Sequence, residues 1–442
     1  MQGLIMAAQL ITGISILVIL HELGHFWAAR AFGIKVEKFY LFFDAWGKKL
    51  FSIKIGETEY GIGWLPLGGY VKIAGMIDES MDTEAMAKPA EPWEFRSKPA
   101  WQRLIVMIGG VVMNVIAGII IFAAIKFTYG EENLLNKSLK QGIVPNELAK
   151  SYGFKTGDQL VSVNDKPIVY FNDALNSEIL LGQKPPVYII NRNGMDTTIT
   201  FPDNYLDQLT KAKRGTLFMP RMHVYVKKVI PSSPASDAGL KPYDHIIMVD
   251  SISTICYDEF QPALKQKAGK HATLTTVRDN DTINLSVNVS KDSTIGFYPY
   301  DMTWQVDTTK YSLMQAIPAG ANEAYQTIYN QIAGWGKIFN GDIAVSKAVQ
   351  GPIGIAKFYG PTWDWLNFWL MTALISLGLA FMNILPIPAL DGGHVVLLLL
   401  EMITGKPLTT KAMERIQTVG MVILLSLMVL IFGNDIIGLF IK

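Results

Sequence analysis

Only three ionisable residues interrupt the apolar stretch from Leu4 to Ala29, and they make up the run His21-Glu22-Leu23-Gly24-His25. On an α-helix, positions i and i+4 share a face. His21 and His25 can therefore turn two imidazole nitrogens toward one ion, with Glu22 beside them to take a proton from water. Glu and His are costly in hydrocarbon and persist there where they pair, bind metal or line a wet cavity. The pattern is that of zinc-hydrolase chemistry carried on a membrane span. The competing reading is an amphipathic core helix with two satisfied histidines, and the apolar setting weighs against it.

Composition agrees. Of the 442 residues 50% are apolar and 17% charged, with a mean hydropathy of +0.25, which marks an integral membrane protein. A net charge of +1 and the lack of a basic run interleaved with aromatics exclude a nucleic-acid partner. The lone Cys256 cannot form an internal disulfide and reads as a small buried hydrophobe.

A bilayer core of about 30 Å takes roughly 20 apolar residues to span. Four segments qualify: Leu4–Ala29, Leu104–Ile125, Leu366–Leu390 and Ile416–Gly433. The first lacks the positive leader of a signal peptide and carries the metal motif, so it is expected to stay in the mature chain. Lys and Arg collect between spans one and two (Arg30, Lys35, Lys38, Lys48, Lys49, Lys98, Arg103) and between spans three and four (Lys406, Lys411, Arg415). Both links then belong on the cytoplasmic side, with both termini and the region from about 126 to 365 outside the cytoplasm.

The run Asn383-Ile384-Leu385-Pro386-Ile387-Pro388-Ala389-Leu390-Asp391-Gly392-Gly393 supplies a second constellation. Pro386 and Pro388 cannot continue a helix, so the third span must break there and leave Asp391 as a carboxylate at the break. At about 1.5 Å per residue His21 lies roughly 26 Å from Leu4, near the cytoplasmic side, where a third span entering from outside also delivers Asp391. Two histidines and a carboxylate with a fourth position open make a catalytic rather than a structural zinc set. Asp391 as a plain helix-end cap is the alternative.

With HELGH at 21 to 25, GIGWLPLGGYVKIAGM at 61 to 76, GGVVMNVIAG at 109 to 118, GPIGIAK at 351 to 357 and NILPIPALDGGH at 383 to 394, the chain resembles the site-2 protease family of intramembrane zinc metalloproteases, in its RseP-like bacterial branch. The resemblance covers nearly the whole chain. It implies that His21, His25 and Asp391 bind Zn2+, that Glu22 is the catalytic acid and base, and that Asn383 holds the substrate backbone or developing oxyanion. Gly61, Gly63, Pro386 and Pro388 fall with Asn383 on the expected substrate side. His394 is read as a packing or supporting residue. Location in a bacterial inner membrane follows, as do single-span membrane proteins as substrates, such as anti-sigma-type regulators already shortened or remnant signal peptides, with lipid around them.

Hydrolysis within a span requires the substrate helix to unwind, because its amides are tied up internally. Residues 38 to 43, 50 to 55 and 59 to 64 read as short strands joined by glycine-containing turns, and an edge strand there suits pairing with an unwound substrate. A small sheet that merely closes the cytoplasmic mouth fits equally. Farther along, 152 to 165 aligns with 238 to 251 as two copies of a β-rich module that resembles PDZ domains, placed at about 128 to 212 and 213 to 300. Tyr243 stands where the first copy has its turn glycine. The modules are expected either to take peptide ligands by edge addition or to act as a steric filter. Apolar residues at helical spacing over 311 to 340 predict an amphipathic helix on the outer membrane surface or against the modules.

The expected fold is thus a polytopic membrane protein: four transmembrane helices, a membrane-associated β-sheet and two extracytoplasmic β-rich PDZ modules. Its regions are 1–127 with spans one and two, the two modules, 301–365 with the amphipathic helix and linker, and 366–442 with spans three and four. A catalytically inactive scaffold presenting the modules is the rival function, and intact HELGH and Asp391 oppose it. A transporter would share broken spans and buried charges, but no inverted repeat is visible.

Overall fold

A computed structural model describes residues 2–66, 68–76, 89–211, 216–340, 351–407 and 409–440. The chain divides into two units, the first made chiefly of Met1–Gly130, Lys310–Ile338 and Val345–Lys442, the second of Glu131–Thr309.

In the first unit, α1 (Gln2–Ala31) carries the histidine motif on an uninterrupted apolar helix, and α2 (Ala100–Tyr129) starts directly after Pro99. The two helices meet at Gly24 and Gly109, where a β-carbon on either residue would strike the backbone of the other. Small residues permit this approach between apolar helices. Helix α3 (Leu313–Phe339) falls where the amphipathic pattern predicts a helix. Gly320 sits on Ala123 of α2, Glu323 pairs with Lys126 at 3.3 Å, and Ala324 packs with Phe122, Ala373 and Leu377. The helix thus rests along α2 and a further apolar helix, with Met314 and Tyr325 left exposed.

After the short α4 (Pro352–Tyr359), α5 (Trp365–Ile384) begins at Asp364, whose carboxylate accepts from the Asn367 amide. It stops six residues short of the predicted end of span three. Leu385 to Leu390 are not helical, and α6 (Asp391–Thr404) restarts the helix with Asp391 as its first residue. Pro386 and Pro388 account for the break by removing amide donors and clashing with the preceding turn. Arg103 of α2 pairs with Glu401 of α6 and donates to the Lys98 carbonyl at 2.9 Å, which fastens α6 to α2. The predicted fourth span lies within α7 (Thr410–Phe440). Among the described residues, three helices are long and apolar enough to cross a membrane, namely α1 over Gly3–Ala31, α2 and α5.

Four strands complete this unit: β1 (Val36–Leu41), β2 (Lys49–Ile55), β3 (Thr58–Gly63) and β4 (Tyr70–Ile73), in the order β2-β3-β1-β4. Three match the predicted runs. The fourth, β4, forms the edge beside β1 with Phe39 opposite Val71.

The second unit repeats itself. A first sheet, of order β8-β7-β5-β6, is built from β5 (Gln159–Val163), β6 (Lys166–Pro167), β7 (Val187–Arg192) and β8 (Met195–Thr200). It packs Phe154, Tyr188, Ile190 and Phe201 into one core. The second repeat has its own core around Val226, Ile246, Phe260 and Leu274. The relation is exact in one detail: Arg192 clasps Asp158 and the Gly153 carbonyl, as Arg278 clasps Asp244 and the Gly239 carbonyl. Tyr243 adopts φ +73 where the first copy uses Gly157 at φ +93, so the second repeat bears a left-handed tyrosine. The boundary at 212 needs correction, because Phe218–Pro220 pairs with Ile143–Pro145 of the first repeat. The start of the 301–365 region does too, since Val306–Thr309 pairs with Glu131–Leu134.

Candidate metal centre

The three residues read from the sequence as ligands converge. His21 Nε2 and His25 Nε2 lie 3.2 Å apart, and Asp391 Oδ2 lies 3.2 Å from the first and 3.4 Å from the second. A one-turn spacing on α1 puts the two rings on one face, with centroids 4.8 Å apart and planes at 81°. Asp391 reaches them because the proline break ends α5 and α6 begins with this residue. Gly110 of α2 makes room: a β-carbon there would run into both imidazoles.

The donor set fits zinc. Ligand bonds of about 2.0–2.1 Å in a tetrahedron place ligand atoms about 3.3 Å from one another, which is the spacing these three atoms have. Asp391 Oδ2 is buried and accepts no hydrogen bond. The ring of His25 is fixed from behind, its Nδ1 donating to the Val106 carbonyl at 2.8 Å, which leaves a lone pair on Nε2. Three protein ligands with a fourth position free make a catalytic arrangement.

These residues open on a cavity of about 700 Å³. Glu22 lines it, as does Val71 of β4. Asn383 lines it too, with Nδ2 3.3 Å from His21 Nε2. All four residues of β4, Tyr70 to Ile73, face the same space. The other residues expected on the substrate side do not line it. Gly61 lies against the Tyr40 ring and Gly63 against the backbone of Phe42 and Phe43, so both are glycine because neighbouring groups fill the place of a β-carbon. Pro388 packs on Gly420 of α7, and Pro386 is exposed. Gly68 and Gly69 border the cavity instead. His394 also faces it and meets Gln417 of α7 at 2.5 Å.

Sequence reasoning gave no role to Asn114 or Gly110, although both sit in a quoted motif. The available signal was a fully polar side chain, Asn114, in the middle of an apolar span. It is completely buried, with Nδ2 3.2 Å from His21 Nδ1.

The sequence matches the model of peptidase family M50 over residues 9–427. The chain belongs to peptidase family M50. It is similar to a Neisseria meningitidis serogroup A protein named "Putative zinc metalloprotease", 30% identical over 455 residues that cover 96% of this chain and 97% of the relative. The regulator of sigma E protease of Haemophilus influenzae is 29% identical, covering 97% of this chain and 98% of its own. RseP of Escherichia coli K12, a regulator of sigma-E protease, is 28% identical over 97% of each chain. Within family M50 this chain is a membrane-embedded zinc metalloprotease, and the expected cofactor and activity stand.

Proposed function

We propose that this M50 peptidase holds zinc with His21, His25 and Asp391 and uses Glu22 to hydrolyse a peptide bond of a single-span membrane protein in or near the bilayer. The observation that carries the reading is the triangle of donor atoms at 3.2, 3.2 and 3.4 Å. Bound there, zinc supplies Lewis-acid activation of water and of the scissile carbonyl. Glu22, in the same cavity, takes the proton from the attacking water and returns it to the leaving amine. Asn383 Nδ2, beside His21, offers a donor to the carbonyl oxygen as charge develops on it. β4 has one neighbour, β1, among the described residues, and its residues face the cavity, so an unwound substrate segment can add to it as a further strand.

Two relatives are named as regulators of sigma E, and we extend that role to this chain with anti-sigma-type regulators as substrates; remnant signal peptides have the same single-span form. The two β-rich repeats are PDZ-like modules that act as a size filter. In detergent, the purified chain should cut a single-span substrate with a short outer segment and spare the same substrate carrying a folded outer domain. A strong chelator should stop the cutting, and zinc should restore it. Cleavage that survives complete metal removal would end the metallopeptidase reading, and equal cleavage of both substrates would end the filter.

We place the chain in a bacterial inner membrane as a four-span protein with both termini and the repeats outside the cytoplasm. This follows from the Lys and Arg distribution. Cys256 is buried and its thiol is pushed up to about 11 by that burial, so the native cysteine is a quiet background. Lys291→Cys should react with a membrane-impermeant thiol reagent in spheroplasts, and Lys48→Cys should not. The reverse pattern would invert the orientation.

A further inference from the structure

We infer that Asn114 is a positioning residue that fixes the ring of His21 for metal binding, its amide serving whichever tautomer the site requires. This rests on reading His21 as a ligand. The two histidines are anchored by different means. His25 leans on a backbone carbonyl, that of Val106, which no side-chain substitution removes. On the far side of His21, Nδ1 faces Nδ2 of Asn114 at 3.2 Å.

Asn114 is itself held rigidly. It is 0% exposed, and its backbone carbonyl accepts from the Ser376 hydroxyl of α5 at 2.7 Å, a buried contact. One turn earlier on α2, Gly110 provides the floor on which both imidazoles rest. The backbone that carries the amide is therefore tied to α5, and the amide itself is buried against the His21 ring.

The hydrogen-bond inventory then separates two states. With Nδ2 toward the ring, His21 Nδ1 accepts, the ring proton sits on Nε2, and it is donated to the Nε2 lone pair of His25 at 3.2 Å. This is a self-contained metal-free arrangement. For Nε2 to bind a metal it must be a lone pair, so the proton moves to Nδ1 and needs an acceptor. Asn114 Oδ1 is buried and has no hydrogen-bond partner. Turning the amide end for end, which leaves its shape unchanged, delivers that oxygen to Nδ1–H.

The test uses the full-length detergent-solubilised protein and measures the zinc dissociation constant by chelator competition, the melting temperature of the metal-free protein and the absorption spectrum of the cobalt-substituted form. Asn114→Leu, of similar size, should weaken zinc by roughly 10–100-fold, the usual cost of losing such a supporting partner. It should also alter the cobalt spectrum and leave metal-free melting unchanged. Asn114→Asp, which keeps an acceptor in place, should bind zinc at least as tightly as wild type.

A leucine variant with wild-type zinc affinity would overturn the inference, and so would an aspartate variant as weak as the leucine one. If leucine lowers metal-free melting, the aspartate variant decides alone, with retained affinity supporting the inference and lost affinity overturning it. Wild-type protein that bound no zinc would bring down the ligand assignment as well, whereas the leucine result removes only the role of Asn114.

Discussion

Asp391→Ala should leave a folded chain that has lost most of its zinc and all measurable cleavage. The site brings three protein donors together at near-equal spacing, and in the proposed zinc set each would contribute one arm of a tetrahedron. Apparent zinc binding by four-ligand sites is about 10–16 kcal/mol, so one ligand carries on the order of 3 kcal/mol and its loss weakens binding by ~10²-fold. The fold should survive. The break at Pro386 and Pro388 is set by backbone chemistry, and α6 stays clamped to α2 by Arg103 and Glu401, far from the substituted carboxylate. Deleting Asp391 also removes a buried oxygen that accepts no hydrogen bond, so the metal-free protein loses no bond that Asp391 Oδ2 was accepting. Metal analysis of the purified variant, with the melting temperature of its metal-free form, separates loss of ligand from loss of fold. Full zinc occupancy together with full activity would remove Asp391 from the ligand set.

What the sequence made readable was the chemistry that depends on local spacing. His21 and His25 share a face because they are four apart, and Asp391 stands at a helix start because two prolines precede it. What it hid depends on distant neighbours. Gly61 and Gly63 look like glycines that admit a substrate backbone, yet the Tyr40 ring and the Phe42–Phe43 backbone occupy the space a side chain would need. Phe218–Pro220 lies beyond the apparent end of the first repeat and returns to pair with Ile143–Pro145, a register that no local pattern encodes. Helix α3 was visible from its periodicity, but periodicity names a face without naming what covers it, and the cover is Ala123, Phe122 and Leu377. Asn114 was visible only as a polar residue in an apolar helix, and its ring partner, His21, lies 93 positions away.

Glu22→Gln should show the reverse dissociation, zinc kept and cleavage lost. Glu22 precedes Leu23 on α1 and is not one of the three converging donors, so exchanging its carboxylate for an amide leaves the metal's neighbours in place. The amide is the same size and keeps one acceptor oxygen, so the cavity wall that Glu22 shares with Val71 of β4 should hold its shape. What disappears is the capacity to gain and release a proton, which a positioned acid and base contributes at roughly 10²–10⁴-fold in rate. The turnover of a short single-span substrate should fall by that factor, with zinc content equal to wild type. Glu22→Asp sharpens the assignment, because it retains the proton chemistry and withdraws the carboxylate by one methylene. Partial activity there, against near silence in the amide, is the mark of a proton carrier whose reach matters. An amide variant with more than about a tenth of wild-type turnover would deny Glu22 that role, and one that arrives without zinc would make Glu22 a ligand, with the fourth coordination position no longer free for water.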